Sequence, residues 1–351
     1  MTNHITLPRK GDLTTILASN GSKPSPMRGF APQFQDIVDY IVKITHEIWE
    51  ERAIGRLYEY YGTNMVIHTT DGEIFGRELV IEKSIQAMAA YPDRRLYAEE
   101  VIWTGDDDSG YITSHRLRHE GTNWGRTEFG PPTGKRVSYR AVADCKVVEG
   151  RIVEEWLTRD NLTQVVQLGL DPHALAKAAA QATSADSRRQ FHVPSEANRL
   201  NGQLQPHAPW DSDEFDIENF VRNVIHKVWN WRLLNKVRDY YTPGYICESA
   251  SGRNIYGHNQ YINYILQFLS AFPDLSMNVD HFCAIQEDDD TYRTATRWMM
   301  QGTHKGVGIY GEPSGNTVQL MGVTHQIVRN GKFVQEWTVF DEFALLKQIY
   351  S

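Results

Sequence analysis

One stretch occurs twice in this chain at a fixed separation. Arg116, Gly121, Gly150, Trp156 and Asp160 are each matched 181 residues later, by Arg297, Gly302, Gly331, Trp337 and Asp341. A long internal period decides the architecture before any local pattern is read. The chain is built from two copies of one domain. Upstream the matches fall 180 apart, as in Trp49/Trp229 and Tyr60/Tyr240. One extra residue therefore enters the second copy between Gly252 and Gly257, where the first has Gly72 and Gly76.

At 351 residues, each copy is long enough to bury a core of its own. The formal net charge of −8 gives no electrostatic reason for a nucleic-acid partner. No apolar run approaches the ~20 residues of a membrane span. Met1 to Pro8 lacks the basic-then-apolar pattern of a secretory signal, so a cytoplasmic protein is expected. Cys145, Cys247 and Cys283 have neither metal-ligand spacing nor an even-numbered framework, and they read as buried, reduced thiols.

Residues 1–33 are polar and proline-broken, an N-terminal arm. From Phe34 apolar residues recur at helical spacing (Ile37, Ile41, Ile44, Ile48), with Ile217, Val221, Val224 and Val228 as their counterparts. Leu57, Tyr60 and Tyr61 continue on a second helix, followed by a short extended segment. Further helices are expected over 77–90 and 258–271, stopped by Tyr91-Pro92-Asp93 and Phe272-Pro273-Asp274. Each copy then carries four strand-like runs separated by acidic or glycine-rich turns. Helices first and a strand meander after predict an α+β domain, with helices packed on one curved antiparallel sheet. The domains are placed at 34–170 and 214–351, joined by a linker over 171–213 whose Ala-rich start reads as helix.

The ordered set of a tyrosine pair, a helix ending in Pro-Asp, Gly130-Pro131-Pro132-Thr133-Gly134 and Gly150-Arg151-Ile152-Val153-Glu154-Glu155-Trp156 with Asp160 resembles the SnoaL-like polyketide cyclase family, of the nuclear transport factor 2-like superfamily. The resemblance covers roughly 34–170 and 212–350. It implies two tandem cone domains, each a bent sheet closed by helices around an apolar pocket. It also implies a pseudo-dimer within one chain, and further association into a homo-oligomer. The superfamily hosts cyclases, isomerases, lyases, epoxide hydrolases and binding modules, so the fold alone does not set the chemistry.

Asp160 and Asp341 lead the candidate residues. Residues two and four apart on a strand share a face, which groups each Asp with Trp156 or Trp337. A carboxylate desolvated beside an indole can act as a general base. In the cyclases that the chain resembles, an Asp here takes a proton alpha to a carbonyl. The same residue can equally cap the short C-terminal helix that follows. Arg116 and Arg297 either face inward and pair with the Asp, or lie on the outer sheet face. His68 and His325 are auxiliary donors or structural histidines; their counterparts are Glu248 and Asp144, so the copies differ there. The tryptophans and tyrosines either line a pocket or fill the core.

No metal-binding helix motif, nucleotide-binding glycine loop or nucleophile elbow occurs, and neither cofactor nor metal is expected. The expectation is a cofactor-independent cyclase, isomerase or carbon–carbon lyase acting on a hydrophobic, oxygenated or aromatic small molecule. The alternative is a small-molecule-binding or assembly module without chemistry.

Overall fold

The computed structural model describes residues 27–182 and 215–351. The greater part of the arm and of the linker read from sequence lies outside the described residues. Two compact units emerge. The first runs to Arg159 and resumes at Thr163–Leu170; the second takes Asp160–Leu162 and the chain from Asp171 onward.

In the first copy, α1 (Ile37–Trp49) is followed by a 3₁₀ turn (Ile54–Arg56), α2 (Leu57–Tyr60), β1 (Tyr61–Thr69), β2 (Gly72–Phe75) and α3 (Arg77–Ala90). Four long strands come next: β3 (Arg95–Asp106), β4 (Gly110–Thr122), β5 (Arg136–Val148) and β6 (Arg151–Arg159). Then come α4 (Asn161–Gln167) and α5 (Pro172–Ala182), the helix in the Ala-rich start of the linker span. The second copy repeats the plan. It has α6 (Ile217–Ile225) with a π-helical turn (His226–Asn230), a 3₁₀ turn (Leu234–Lys236), α7 (Val237–Tyr240), β7 (Tyr241–Ser249), β8 (Arg253–Tyr256) and α8 (Gly257–Ala271). β9 (Ser276–Gln286), β10 (Thr291–Thr303), β11 (Thr317–Arg329), β12 (Lys332–Phe340) and α9 (Glu342–Ile349) complete it. The second tyrosine of each pair begins a strand rather than ending a helix.

Each copy forms one six-stranded sheet, ordered β2-β1-β6-β5-β4-β3 and β8-β7-β12-β11-β10-β9. The sheets are mixed, because β1 runs parallel to β6 and β7 parallel to β12. The antiparallel sheet expected from sequence is corrected on this point. Consecutive strands joined by tight turns must run antiparallel, whereas β1 and β6 are separated by nearly the whole domain and escape that constraint.

The repeated glycines are turn hardware. Glu149 and Gly150, like Asn330 and Gly331, both have positive φ (48° and 73°; 50° and 65°). That pair of conformations makes the two-residue turn whose twist suits a hairpin. The Pro-Asp motifs are braces: Asp93 accepts hydrogen bonds from the Thr122 N–H and hydroxyl, both at 2.7 Å, and Asp274 from the Thr303 N–H. Likewise Asn123 accepts the Thr133 N–H and His304 the Ser314 N–H, so unlike residues pin the same loop. The extra residue of the second copy lies in the β7–β8 turn, between Ser249 and Arg253, which corrects the placement between Gly252 and Gly257 read from the glycines. Thr69 pairs with Gly72, but Ser249 pairs with Arg253, one residue further on.

Inside the sheets, the copies compensate in pairs. Where the first has Leu117 beside Ala141, the second has Trp298 over Gly322. A Cβ added at Gly322 would lie 2.1 Å from the Trp298 ring. Gly322→Ala is therefore expected to displace the indole and break its 2.9 Å bond to Thr324 Oγ1. The cost is about 1–3 kcal/mol. Urea denaturation followed by tryptophan fluorescence checks it, and an unchanged midpoint would contradict this packing.

No helix among the described residues is long and apolar enough to cross a membrane.

Candidate functional site

The second copy contains a small, partly open pocket. Seven of its fifteen lining residues are aromatic: Trp229, Tyr241, Tyr261, Tyr264, Phe268, Trp298 and Phe340. The π-helical turn of the first helix carries Trp229, one of these walls. Four polar side chains reach the same space, Thr324, Gln326, Glu336 and Thr338. Glu336 is the one carboxylate among the lining residues, and it is 5% exposed.

Glu336 is tied to four donors. Tyr245 Oη (2.7 Å) and Gln326 Nε2 (3.0 Å) donate to Oε2. Thr338 Oγ1 (2.6 Å) and Cys247 Sγ (3.6 Å) donate to Oε1. A carboxylate offers about four acceptor positions, so its capacity is filled. A directed chain runs along the cavity wall, from Trp298 Nε1 to Thr324, from Thr324 to Thr338 at 3.0 Å, and from Thr338 to Glu336. Each link polarises the next.

The matching residue of the first copy is Glu155, also 5% exposed. Its surroundings differ at every donor position. Met65, Ile67, Cys145 and Leu157 stand where the second copy has Tyr245, Cys247, Gln326 and Thr338. What remains is the Tyr61 hydroxyl at 3.4 Å. Burial pushes the Glu155 carboxyl up to about 7, with Arg159 and the Tyr61 bond opposing only in part. Arg159, which acts on Glu155, also acts on a second polar group of the first copy. His119 stacks on Tyr139 at 5.0 Å between ring centroids, and Arg94 Nη2 lies 2.9 Å from His119 Nδ1. Burial, reinforced by Arg94 and Arg159, drives the His119 pKa well below the ordinary histidine value. His119 is thus a neutral imidazole accepting at Nδ1 and carrying its proton on Nε2.

Glu155 and Glu336 are a carboxylate shared by both copies, and alternation counted from the start of the strand puts them on the wrong face. Both β6 and β12 contain an irregularity near their start, where pairing shifts between Lys146 and Val147 and between Ile327 and Val328. A bulge adds one residue and exchanges the faces beyond it. The cavity face is therefore Glu336, Thr338 and Phe340, and Trp337 lies on the other side.

The residues singled out from sequence are held by partners of their own. Asp341 caps α9, accepting the Ala344 N–H at 3.0 Å, and also accepts from Asn161 Nδ2. Asp160, 6% exposed, accepts the Ser251 N–H at 2.8 Å. Arg116 is buried and bound to Glu99 (3.1 Å) and Glu100 (3.4 Å). Arg297 holds the matching position on β10, where the carboxylate matching Glu99 is Asp280. Burial raises Asp280 to about 7 against the pull of Arg297 and Arg222. Glu99 and Asp280 both sit at breaks in strand pairing. His68 is clamped between Glu73 (3.0 Å) and Glu154 (2.9 Å) and stacks on Trp156. His325 is fully buried on β11, opposite Trp337 in register. None of Asp341, Arg297 and His325 is among the residues lining the second copy's cavity. Asp341→Ala is expected to cost about 1–2 kcal/mol through the lost cap; an unchanged denaturation midpoint would contradict that role.

Among the described residues, no group of three or more His, Cys, Asp or Glu side chains is placed to hold a metal ion.

No curated protein matches the chain. Among solved structures, a protein described as a SnoaL-like polyketide cyclase from Jannaschia sp. CCS1 is 20% identical. It matches over 40% of this chain and 99% of its own, with a TM-score of 0.34. IdmH from Streptomyces antibioticus, described as a polyketide cyclase, is 20% identical over 38% of this chain and 98% of its own (TM-score 0.33). A protein described as a polyketide cyclase from Bacillus cereus ATCC 10987 is 23% identical over 44% and 97% (TM-score 0.32). The family model for SnoaL-like polyketide cyclase matches residues 40–168 and again 219–349. The chain belongs to the SnoaL-like polyketide cyclase family and carries its domain twice in tandem.

Proposed function

We propose that the protein is a cofactor-independent acid–base enzyme of cyclase type, and that its chemistry takes place in the first domain with Glu155 as the proton acceptor. The observation that carries this reading is one carboxylate held in two environments. Glu336 has its acceptor positions filled by four donors, whereas Glu155 keeps one long hydrogen bond and is shifted to about 7. A general base is most effective when its pKa lies near the working pH. Strongly different surroundings for paired carboxyls are how folds assign acid and base roles.

In this reading Glu155 removes a proton from a carbon alpha to a carbonyl, leaving an enolate. The enolate carbon attacks a second carbonyl carbon of the same molecule and closes a ring. The resulting alkoxide recovers the proton from Glu155. Arg159, the cation that acts on Glu155, offsets the negative charge on the enolate and alkoxide oxygens. The substrate class is a hydrophobic, oxygenated small molecule.

The test is turnover of a diketone or polyketone substrate by Glu155→Gln. Loss of turnover supports the assignment. Activity in Glu155→Gln together with its loss in Asp160→Asn or Asp341→Asn moves the chemistry to the Asp–Arg pairs. The second domain's saturated Glu336 and aromatic cavity favour a second reading for that half, binding without chemistry. Loss of turnover in Glu336→Gln, with folding intact, would exclude it.

A further inference from the structure

The two interiors differ in charge as well as in hydrogen bonding. Arg94, His119, Tyr139 and Arg159 of the first copy correspond to Leu275, Met300, Leu320 and Phe340 of the second. The second copy shows that the fold closes around apolar side chains at all four positions. Arg159 extends from β6 on the same face as Glu155 and Leu157, and acts electrostatically on His119, Tyr139 and Arg94 together. Its guanidinium makes no hydrogen bond or ion pair among the described residues. Arg94 is bound through Nη2 to neutral His119, not to a carboxylate, at 2.9 Å.

The nearby acids do not balance these two cations. Glu50 is engaged with Arg95 (3.1 Å) and the Leu96 N–H (2.8 Å), and Glu128 is exposed. Glu155 is the remaining carboxyl, and its own burial disfavours its charge. Both guanidinium groups are partly exposed and lack a carboxylate partner, and a planar, bidentate anion is the partner whose geometry suits them best.

We propose that the interior of the first domain binds a small organic substrate that already carries a carboxylate, held by Arg94 and Arg159 with the His119 Nε2–H as a further donor. This deepens the reading of that interior as the reactive one and rests on it. Trp49, packed against Leu96, Leu117 and Ala141, offers an apolar surface to the rest of such a molecule.

The experiment is isothermal titration of the full chain with naphthoate and with its neutral isostere naphthamide. Naphthoate is expected to bind one per chain, about ten-fold or more tighter than naphthamide. Arg94→Gln and Arg159→Gln should each weaken naphthoate about ten-fold and leave naphthamide unchanged. Equal affinities for acid and amide in the unmodified chain would overturn the proposal, and that comparison needs no variant to fold. Naphthoate binding that both variants retain in full would overturn it as well. Glu155→Gln separates the two readings. Normal turnover in that variant defeats the acid–base assignment, while the naphthoate and naphthamide pair still decides whether an anion is bound.

Discussion

Glu155→Gln is expected to lose turnover by about 10²–10⁴-fold and, at pH 8, to melt higher than the unmodified protein. The two effects have one origin. The folded-state pKa of Glu155 is about 7, raised from 4.5 by burial. Between those values the folded state holds a proton that the unfolded state has released. Stability therefore falls as pH rises from about 4.5 to about 7, and the full penalty persists above that. For a shift of this size the penalty is about 3 kcal/mol. Glutamine removes the charge while keeping the shape, so the variant is more stable at pH 8 and nearly equal at pH 4. Catalysis needs the ionised form, so kcat/KM of the unmodified enzyme should rise with pH through about 7. Melting curves at the two pH values and a pH–rate profile read both effects. Retained turnover, or the same stability difference at both pH values, would refute the assignment.

Glu99→Ala is expected to cost about 3–5 kcal/mol of stability, which is the size seen when one partner of a buried ion pair is removed. Glu99 is buried on β3 and accepts from Arg140 Nε at 2.7 Å, Arg118 Nε at 3.0 Å and Arg116 Nε at 3.1 Å. Burial pushes its carboxyl up, but Arg140, Arg116 and Arg118 outweigh that and hold it below the ordinary glutamate value. Its contribution is present above the unfolded pKa of about 4.5 and is lost as pH falls through the lower folded value. Without Glu99, the guanidinium groups of Arg116, Arg118 and Arg140 lose a shared counter-charge. A denaturation midpoint within 1 kcal/mol of the unmodified protein would show that the cluster is not structural.

Much of the fold was legible because the chain states it twice. Helix α3 spans Arg77–Ala90, the range expected from the apolar spacing and the Pro-Asp stop, and β12 spans Lys332–Phe340. Turn glycines and capping carboxylates act over a few residues, and local sequence records them. The parallel pairing of β1 with β6 was not legible, because no tight turn joins those strands.

The site was harder to read for a specific reason. Glu155 and Glu336 stand in plain view beside the tryptophans, but a break in pairing at the start of their strands reverses which face they occupy. A face set by a bulge depends on the partner strand, and alternation counted along one chain misses it. Arg116 is bound to Glu99 and Glu100, partners on β3 that its own strand does not reveal.

The sequence by itself determined that there are two domains, their α+β plan and the family. The repeat, the turn chemistry and the hydrophobic spacing are written along the chain and can be read without tertiary contacts. Only the tertiary structure decided which carboxylate lies inside, because strand register selects the face. It also decided that Arg94, His119, Tyr139 and Arg159 of the first copy come together where the second has Leu275, Met300, Leu320 and Phe340, because these residues lie on four separated segments that meet only when the sheet folds.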